Sequence, residues 1–191
     1  MRSTALAATL FGILLTSAFT QVNQTTSLQP TRFEAFANRP TARIKWSSQV
    51  WRAESAEARV IVTTLVVEDT THSPQQMSGI RIDLTKENAS DQIYLDEAKL
   101  ETTRKALTEI SRGIPRFRRE RSGTGYRHLG AEEFWHPYPT IHTLNASYYI
   151  APDSSGLFLS AYKNEGFRFP GRSPSELAAA IARAMDELKR R

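Results

Sequence analysis

The chain contains no cysteine among its 191 residues. This absence excludes disulfide bonds, a thiol nucleophile, a redox dithiol and any zinc site built on cysteine. A chain of this length can fold as one domain with a sufficient apolar core and no covalent cross-link. Stability is therefore expected to come from packing alone.

Long apolar runs are also scarce, and the longest lies near the N-terminus. Residues 5–15 are largely apolar, follow Arg2 and precede small and polar residues, which is typical of a secretory signal peptide. The run is too short to span a bilayer comfortably. We therefore predict a signal peptide over residues 1–20, cleaved near Ala18 or Thr20, and export to the periplasm or the extracellular space.

The excess of positive charge is small, with 25 basic and 20 acidic residues. Loss of the leader would remove Arg2 and no acid, so the excess would persist. In an exported protein it favours an anionic lipid surface or a cell-wall polymer as the partner, and no nucleic acid is expected.

A flexible spacer is predicted over residues 21–40, because its first ten residues are polar and lack apolar periodicity. Within it, Phe33 and Phe36 have the spacing of one short helical turn that docks on the domain, and Pro40 closes that turn. A single domain is predicted over 41–191.

The first part of this domain has the patterns of a β-sheet. One stretch alternates between apolar and polar residues and places Ile44 and Trp46 on its apolar face. The next is apolar on both faces, which predicts an interior strand, and two more are suited to be its antiparallel neighbours. In chain order, these stretches are 42–50, 59–68, 79–85 and 92–95.

A helix is predicted to begin after Asp96, which stands at the N-cap position. Leu95 and Leu100 have the spacing of a hydrophobic staple around that cap. Leu100, Leu107 and Ile110 then fall on one face at helical spacing. This face is expected to be buried against the sheet.

The end of the same helix is predicted at Gly113. A glycine can adopt the left-handed conformation that terminates a helix, Ile114 can fold back on the last turn, and Pro115 opposes continuation. The chain after Pro115 is therefore predicted to leave the helix and to form an edge strand or a loop.

Strand patterns resume over residues 141–150, 157–162 and 167–169, separated by polar turns, which predicts a meander. A final helix is indicated by Ser173 at the N-cap with Pro174 and Glu176 behind it, a capping box with proline at the first position. The predicted fold is α+β, with a largely antiparallel sheet of about six to eight strands and two helices on one face. The predicted buried stripe of the final helix is Leu177, Ala180, Ile181, Ala184 and Leu188.

The main candidate site is a run of arginines between residues 112 and 127 that contains one acid, Glu120. Arginine forks suit phosphate and carboxylate groups. In a strand, however, these charges would divide between two faces, and the plainer interpretation is a solvated edge that discourages sheet pairing. The residues predicted to bind an anionic partner are Arg116, Arg118, Arg119, Arg121 and Arg127.

A weaker candidate is the stretch where three of the four histidines lie near acids. A zinc site needs three or four such ligands that converge. No pair has the spacing of a helical HExxH motif, and Pro137 and Pro139 oppose a regular helix. Ordinary surface histidines are favoured, so no metal is predicted. The residues of this alternative are His128, Glu132, Glu133, His136 and His142.

The function predicted from these patterns is that of a non-catalytic exported binding or accessory module with no cofactor. Its arginine-rich segment would contact an anionic surface or partner. One alternative is a metal-assisted hydrolase that uses the histidines and glutamates between residues 128 and 142. The other is a structural envelope protein whose helices or aromatic residues bind another envelope protein.

Overall fold

The computed structural model describes residues 30–71, 75–123, 133–135, 144–151, 153–161 and 166–191, with the backbone alone at 120–123 and 133–135. The signal peptide predicted over 1–20 and the spacer residues 21–29 lie outside this part of the chain. Within it, no helix combines the length and the apolar character needed to cross a membrane.

The described residues form three helices and eight strands. The first half consists of α1 (Arg32–Ala37), β1 (Ala42–Glu54), β2 (Ala58–Asp69), β3 (Gln75–Lys86), β4 (Ala89–Asp96) and α2 (Glu97–Gly123). The second half consists of β5 (Glu133–Trp135), β6 (Leu144–Ile150), β7 (Ser155–Ala161), β8 (Phe167–Pro170) and α3 (Pro174–Lys189).

The strands form two antiparallel sheets, with the orders β1-β2-β3-β4 and β5-β6-β7-β8. The mixed α+β class and the antiparallel pairing are therefore confirmed, whereas the prediction that the strands form a single sheet is wrong. Consecutive antiparallel strands can pair locally through short turns. Helix α2, with 27 residues and a length of about 40 Å, separates the two meanders.

The first sheet follows the predicted pattern in its interior strand and departs from it at its edge. β2 pairs with both β1 and β3, and Val60 and Val62 are fully buried. In β1 the register shifts between Ile44 and Trp46. Such a bulge inserts an extra residue and reverses which face the next side chain occupies. Ile44, predicted to share the apolar face with Trp46, therefore lies on the opposite face, where it is 57% exposed.

One apolar core joins the two sheets through α2 and α3. It takes Ile80 and Ile93 from the first sheet, Leu159 and Phe169 from the second, and Leu107 from α2. Helix α3 has the predicted capping box at its start. Its predicted stripe is also buried and consists of Leu177, Ala180, Ile181, Ala184 and Leu188.

Helix α1 packs on the opposite face of the first sheet. Phe33 and Phe36 are buried, with Leu65 and Tyr94 in the same cluster. The backbone N–H of Phe33 donates to Oδ1 of Asp96 at 2.6 Å, so a residue at the end of β4 satisfies one free amide of α1. The folded body therefore begins before the boundary predicted at residue 41.

The glycine beneath α1 is required by close packing. A Cβ at Gly79 would lie 2.6 Å from Cδ1 of Phe33 and 2.4 Å from the carbonyl oxygen of Leu95. Both distances are shorter than van der Waals contact, so any side chain at this position would displace either α1 or the strand.

Helix α2 begins at Glu97, immediately after Asp96, as predicted, but it does not end at Gly113. It continues through Pro115 to Gly123. The predicted helix stop, and the edge strand or loop predicted after it, are therefore wrong over residues 116–123.

Packing explains this continuation. Ile114 and Phe117 are 9% and 4% exposed and extend the buried stripe at intervals of three and four residues. A proline inside a helix costs about 3 kcal/mol, whereas burying Ile114 and Phe117 contributes about 1.5 to 3 kcal/mol each. The apolar gain therefore outweighs the local stop signal. Among the described side chains of α2, the buried stripe is Leu100, Thr103, Leu107, Ile110, Ile114 and Phe117.

Candidate functional site

The helical conformation after Pro115 brings three arginines onto one side of α2. Arg112, Arg116 and Arg119 are four and three residues apart, which places them next to one another on a helix surface. All three side chains are exposed, while Ile114 and Phe117 on the other side are buried. We call Arg112, Arg116 and Arg119 the arginine face. As a strand, the same segment would have divided these charges.

Arg118 has a different environment from the arginine face. Its guanidinium carbon lies 5.3 Å from the ring centroid of Tyr148. It also donates hydrogen bonds to the Tyr148 hydroxyl and, at 3.5 Å, to Oγ of Ser155. The Tyr148 hydroxyl in turn donates to Oγ of Ser155 at 3.0 Å. Arg118 therefore attaches the end of α2 to β6 and β7 of the second sheet.

The other predicted arginines are not described to the same level. The backbone of Arg121 lies in α2, and Arg127 lies outside the described residues. Of the arginines predicted to contact an anionic partner, the structure places Arg116 and Arg119 together on the arginine face. To these the structure adds Arg112, which the sequence prediction did not include.

The alternative metal site falls almost wholly outside the described residues. His128, Glu132, His136 and His142 are not described, and Glu133 is known only as a backbone position in β5. In the part of the chain that is described, no three histidine, aspartate or glutamate side chains are placed to hold a metal ion.

The first half of α2 carries balanced charge. Glu101 accepts hydrogen bonds from Arg104 at 2.7 and 2.8 Å and lies 3.6 Å from Nζ of Lys105. These contacts, Arg104 foremost, lower the pKa of Glu101 to about 2 against the opposing effect of desolvation. The same hydrogen bond raises the pKa of Arg104. At neutral pH Glu101 and Arg104 are therefore both ionised, and their opposite charges compensate each other.

The second half of α2 is strongly basic. Between residues 110 and 123 the helix contains five arginines and one acid. Arg112, whose side chain is 71% exposed, forms an ion pair with Glu109 one turn before it. Positive charge near the C-terminus of a helix is also stabilised by the helix dipole, by about 0.3 to 1 kcal/mol for each charge. That effect falls off within the last turn, so it does not account for Arg112 and Arg116.

The sequence also contained a pattern that predicts the continuation of α2 past Pro115, in conflict with the helix stop at Gly113. Ile114 and Phe117 continue the spacing of Leu107 and Ile110 by steps of three and four residues. A helix drawn through that stripe would have placed the arginines on the opposite side. Only the known burial of Phe117 decides between the two patterns.

Two surface grooves in the described residues lie on the first sheet. One has a volume of about 430 Å³ and is bordered by Arg32, Ser78 and Glu97. The Ser78 hydroxyl there donates to the carboxylate of Glu97. The other, of about 500 Å³, lies between the turns of two hairpins and is bordered by Glu54 and Lys86. Neither groove includes a residue of the arginine face.

Comparison with protein-family models, with curated proteins and with solved structures finds no match to the chain.

Proposed function

We propose that the protein is an exported, non-catalytic binding or accessory module that contacts an anionic surface or partner through the arginine face of α2. One observation carries this proposal. Helix α2 continues past Pro115 and so gathers Arg112, Arg116 and Arg119 on one exposed side. Export is inferred from the leader pattern of residues 1–20.

The geometry of the arginine face suits an extended anionic partner. Arg119 follows Arg112 by seven positions, so the face is about 10 Å long at 1.5 Å per residue. Guanidinium groups can bind phosphate or carboxylate oxygens in a bidentate manner. A rigid helix holds the three groups at a constant spacing, which reduces the ordering cost of binding several anions together.

Removal of the arginine face is expected to weaken anion binding strongly. Each arginine close to an anionic surface contributes about 1 kcal/mol, so a variant with Arg112→Gln, Arg116→Gln and Arg119→Gln should bind roughly 100-fold more weakly. Glutamine has nearly the helix propensity of arginine, so α2 should persist. Binding to phosphatidylglycerol vesicles, to polyphosphate and to an anionic wall polymer can be measured by cosedimentation or surface capture.

The matched control removes three positive charges from the first sheet through Arg43→Gln, Arg52→Gln and Arg59→Gln. This variant has the same net charge as the triple variant of the arginine face. It should bind within about threefold of the unchanged chain, because most of the removed charges would lie farther from the bound surface than the screening length of roughly 8 Å. The proposal is rejected if no anionic surface is bound. It is also rejected if the two triple variants bind equally well.

A gain of binding is expected when Glu109 is removed. Glu109 is the acid that pairs with Arg112, and Glu109→Gln leaves that guanidinium available to the partner. We expect about fivefold tighter binding at physiological salt, which corresponds to about 1 kcal/mol. A titration with the surface bound best by the unchanged chain provides the measurement.

Glu101→Gln is the control for this gain. It removes the same charge from the same helix, but Glu101 pairs with Arg104 and Lys105. It lies eleven residues from Arg112, about 16 Å along the helix, which is beyond the screening length. Equal gains from Glu101→Gln and Glu109→Gln would mean that net charge, and not the arginine face, determines binding.

A further inference from the structure

We infer that the exported chain carries an N-linked glycan on Asn88, at the tip of the hairpin formed by β3 and β4. This inference rests on the proposed function only in its premise of export, because N-linked glycans are attached to proteins that enter a secretory pathway. It concerns the first sheet and uses no residue of the arginine face.

The sequence pattern that accepts such a glycan is frequent in this chain. It consists of an asparagine, any residue except proline, and then a serine or a threonine. Three of the five asparagines, Asn23, Asn88 and Asn145, have this pattern. Serine and threonine make up 36 of the 191 residues, so about one asparagine in five would have it by chance. The excess favours the use of at least one of these acceptors.

Asn88 lies at the tip of a tight hairpin. Lys86 pairs with Ala89 across the two strands, so Glu87 and Asn88 form a two-residue loop. The side chain of Asn88 is exposed, and so are those of Glu87 before it and of Ser90, which completes the pattern. The loop points away from the sheet, so a sugar attached to the Asn88 amide can extend into solvent.

Asn145, the other described acceptor, lies in a strand and not at a turn. It belongs to β6, which pairs with both β5 and β7, and it is only partly exposed. Residues two apart in a strand point to the same face, and Ser147 and Tyr149 on that face are 2% and 0% exposed. A bulky glycan on Asn145 would therefore disturb a covered face of the second sheet. Asn23 lies outside the described residues, so Asn88 is the acceptor that the fold favours.

The transfer reaction needs the side-chain amide of Asn88 and a sugar donor activated as a lipid-linked diphosphate. Nδ2 of Asn88 forms a bond to the anomeric carbon of the sugar, and the bond from that carbon to the diphosphate oxygen breaks. The diphosphate leaves with the bonding electrons, and Nδ2 loses one proton to a base of the transferase. No oxidant or reductant takes part, and the new linkage itself carries no charge.

The test uses the full chain, isolated from the cells that naturally produce it. Digestion with peptide-N-glycanase releases an N-linked glycan and converts the modified asparagine to aspartate, which peptide mass spectrometry then identifies. We expect this conversion at position 88 in most molecules and an unmodified asparagine at position 145. The N-terminal peptide from the same digest shows whether the leader has been removed.

Three variants make the test specific for Asn88. Ser90→Ala should abolish the modification while the loop residues Glu87 and Asn88 stay in place, whereas Ser90→Thr should retain it because threonine also completes the pattern. Asn145→Gln is the matched control and should not change the glycan on Asn88. Circular dichroism of each variant shows whether the fold is retained.

The outcomes separate this inference from the proposed function. A chain that has lost its leader but has an unmodified Asn88 would overturn the inference and leave the proposed function in place. A glycan on Asn88 that persists in Ser90→Ala, or a glycan on Asn145 in place of Asn88, would also overturn the inference. Glycosylated Asn88 in a chain that binds no anionic surface would reject the proposed function alone. A chain that keeps its leader and stays inside the cell would reject both.

Discussion

Phe117→Ala is expected to lower the free energy of unfolding by about 3 to 5 kcal/mol, which is the usual cost of removing a buried phenylalanine side chain. Phe117 is 4% exposed and is the last residue of the buried stripe of α2. It therefore holds the basic end of the helix on the core. Urea unfolding followed by circular dichroism measures the change.

The matched control is Phe117→Leu, which retains most of the buried volume and should cost less than about 1.5 kcal/mol. A second readout is hydrogen exchange of the amides between residues 116 and 123, which should become faster in Phe117→Ala. Unchanged stability in Phe117→Ala would mean that the segment after Pro115 is not packed on the core. The arginine face would then lose its structural basis.

Pro115→Ala is expected to have the opposite effect and to raise the free energy of unfolding by about 2 kcal/mol. Pro115 lies inside α2 on its exposed side. Because proline has no backbone N–H, the helix lacks the hydrogen bond that residue 115 would otherwise donate to the carbonyl of Ser111. Removing the proline should recover about 3 kcal/mol of helix stability. The unfolded chain becomes more flexible without it, which offsets about 0.4 to 1 kcal/mol. Thermal unfolding gives the sign, and urea unfolding gives the magnitude.

Pro174→Ala provides the comparison for this gain. Pro174 occupies the first turn of α3, where the amide has no partner within the helix and proline is well tolerated. Its replacement should therefore not stabilise the protein. A loss of stability in Pro115→Ala would contradict the view that Pro115 is a local cost overcome by packing.

The candidate site was only partly predictable from the sequence. The density of arginine after residue 110 identified the segment, because charge is a property of composition. The sequence did not predict that some of these arginines form the arginine face while Arg118 contacts the second sheet. Arg118 and Tyr148 are 30 residues apart, and no local pattern links positions at that separation.

The sequence by itself determined the elements whose signals are local and agree with one another. Helix α3 has its capping box and buried stripe within one continuous segment, and β2 carries apolar residues on both of its faces, so both form as predicted. The absence of cysteine likewise excluded disulfide bonds.

Only the tertiary structure decided the points where local and distant interactions disagree. The helix stop at Gly113 and Pro115 depends only on neighbouring residues and has an energy of about 1 to 3 kcal/mol. The alternation that assigned Ile44 to the apolar face is also a local pattern. Burial of Ile114 and Phe117 in a core shared by two sheets contributes about 3 to 6 kcal/mol together and depends on residues far away in the chain. For that reason the end of α2, the division of the strands into two sheets and the position of the arginine face followed from packing.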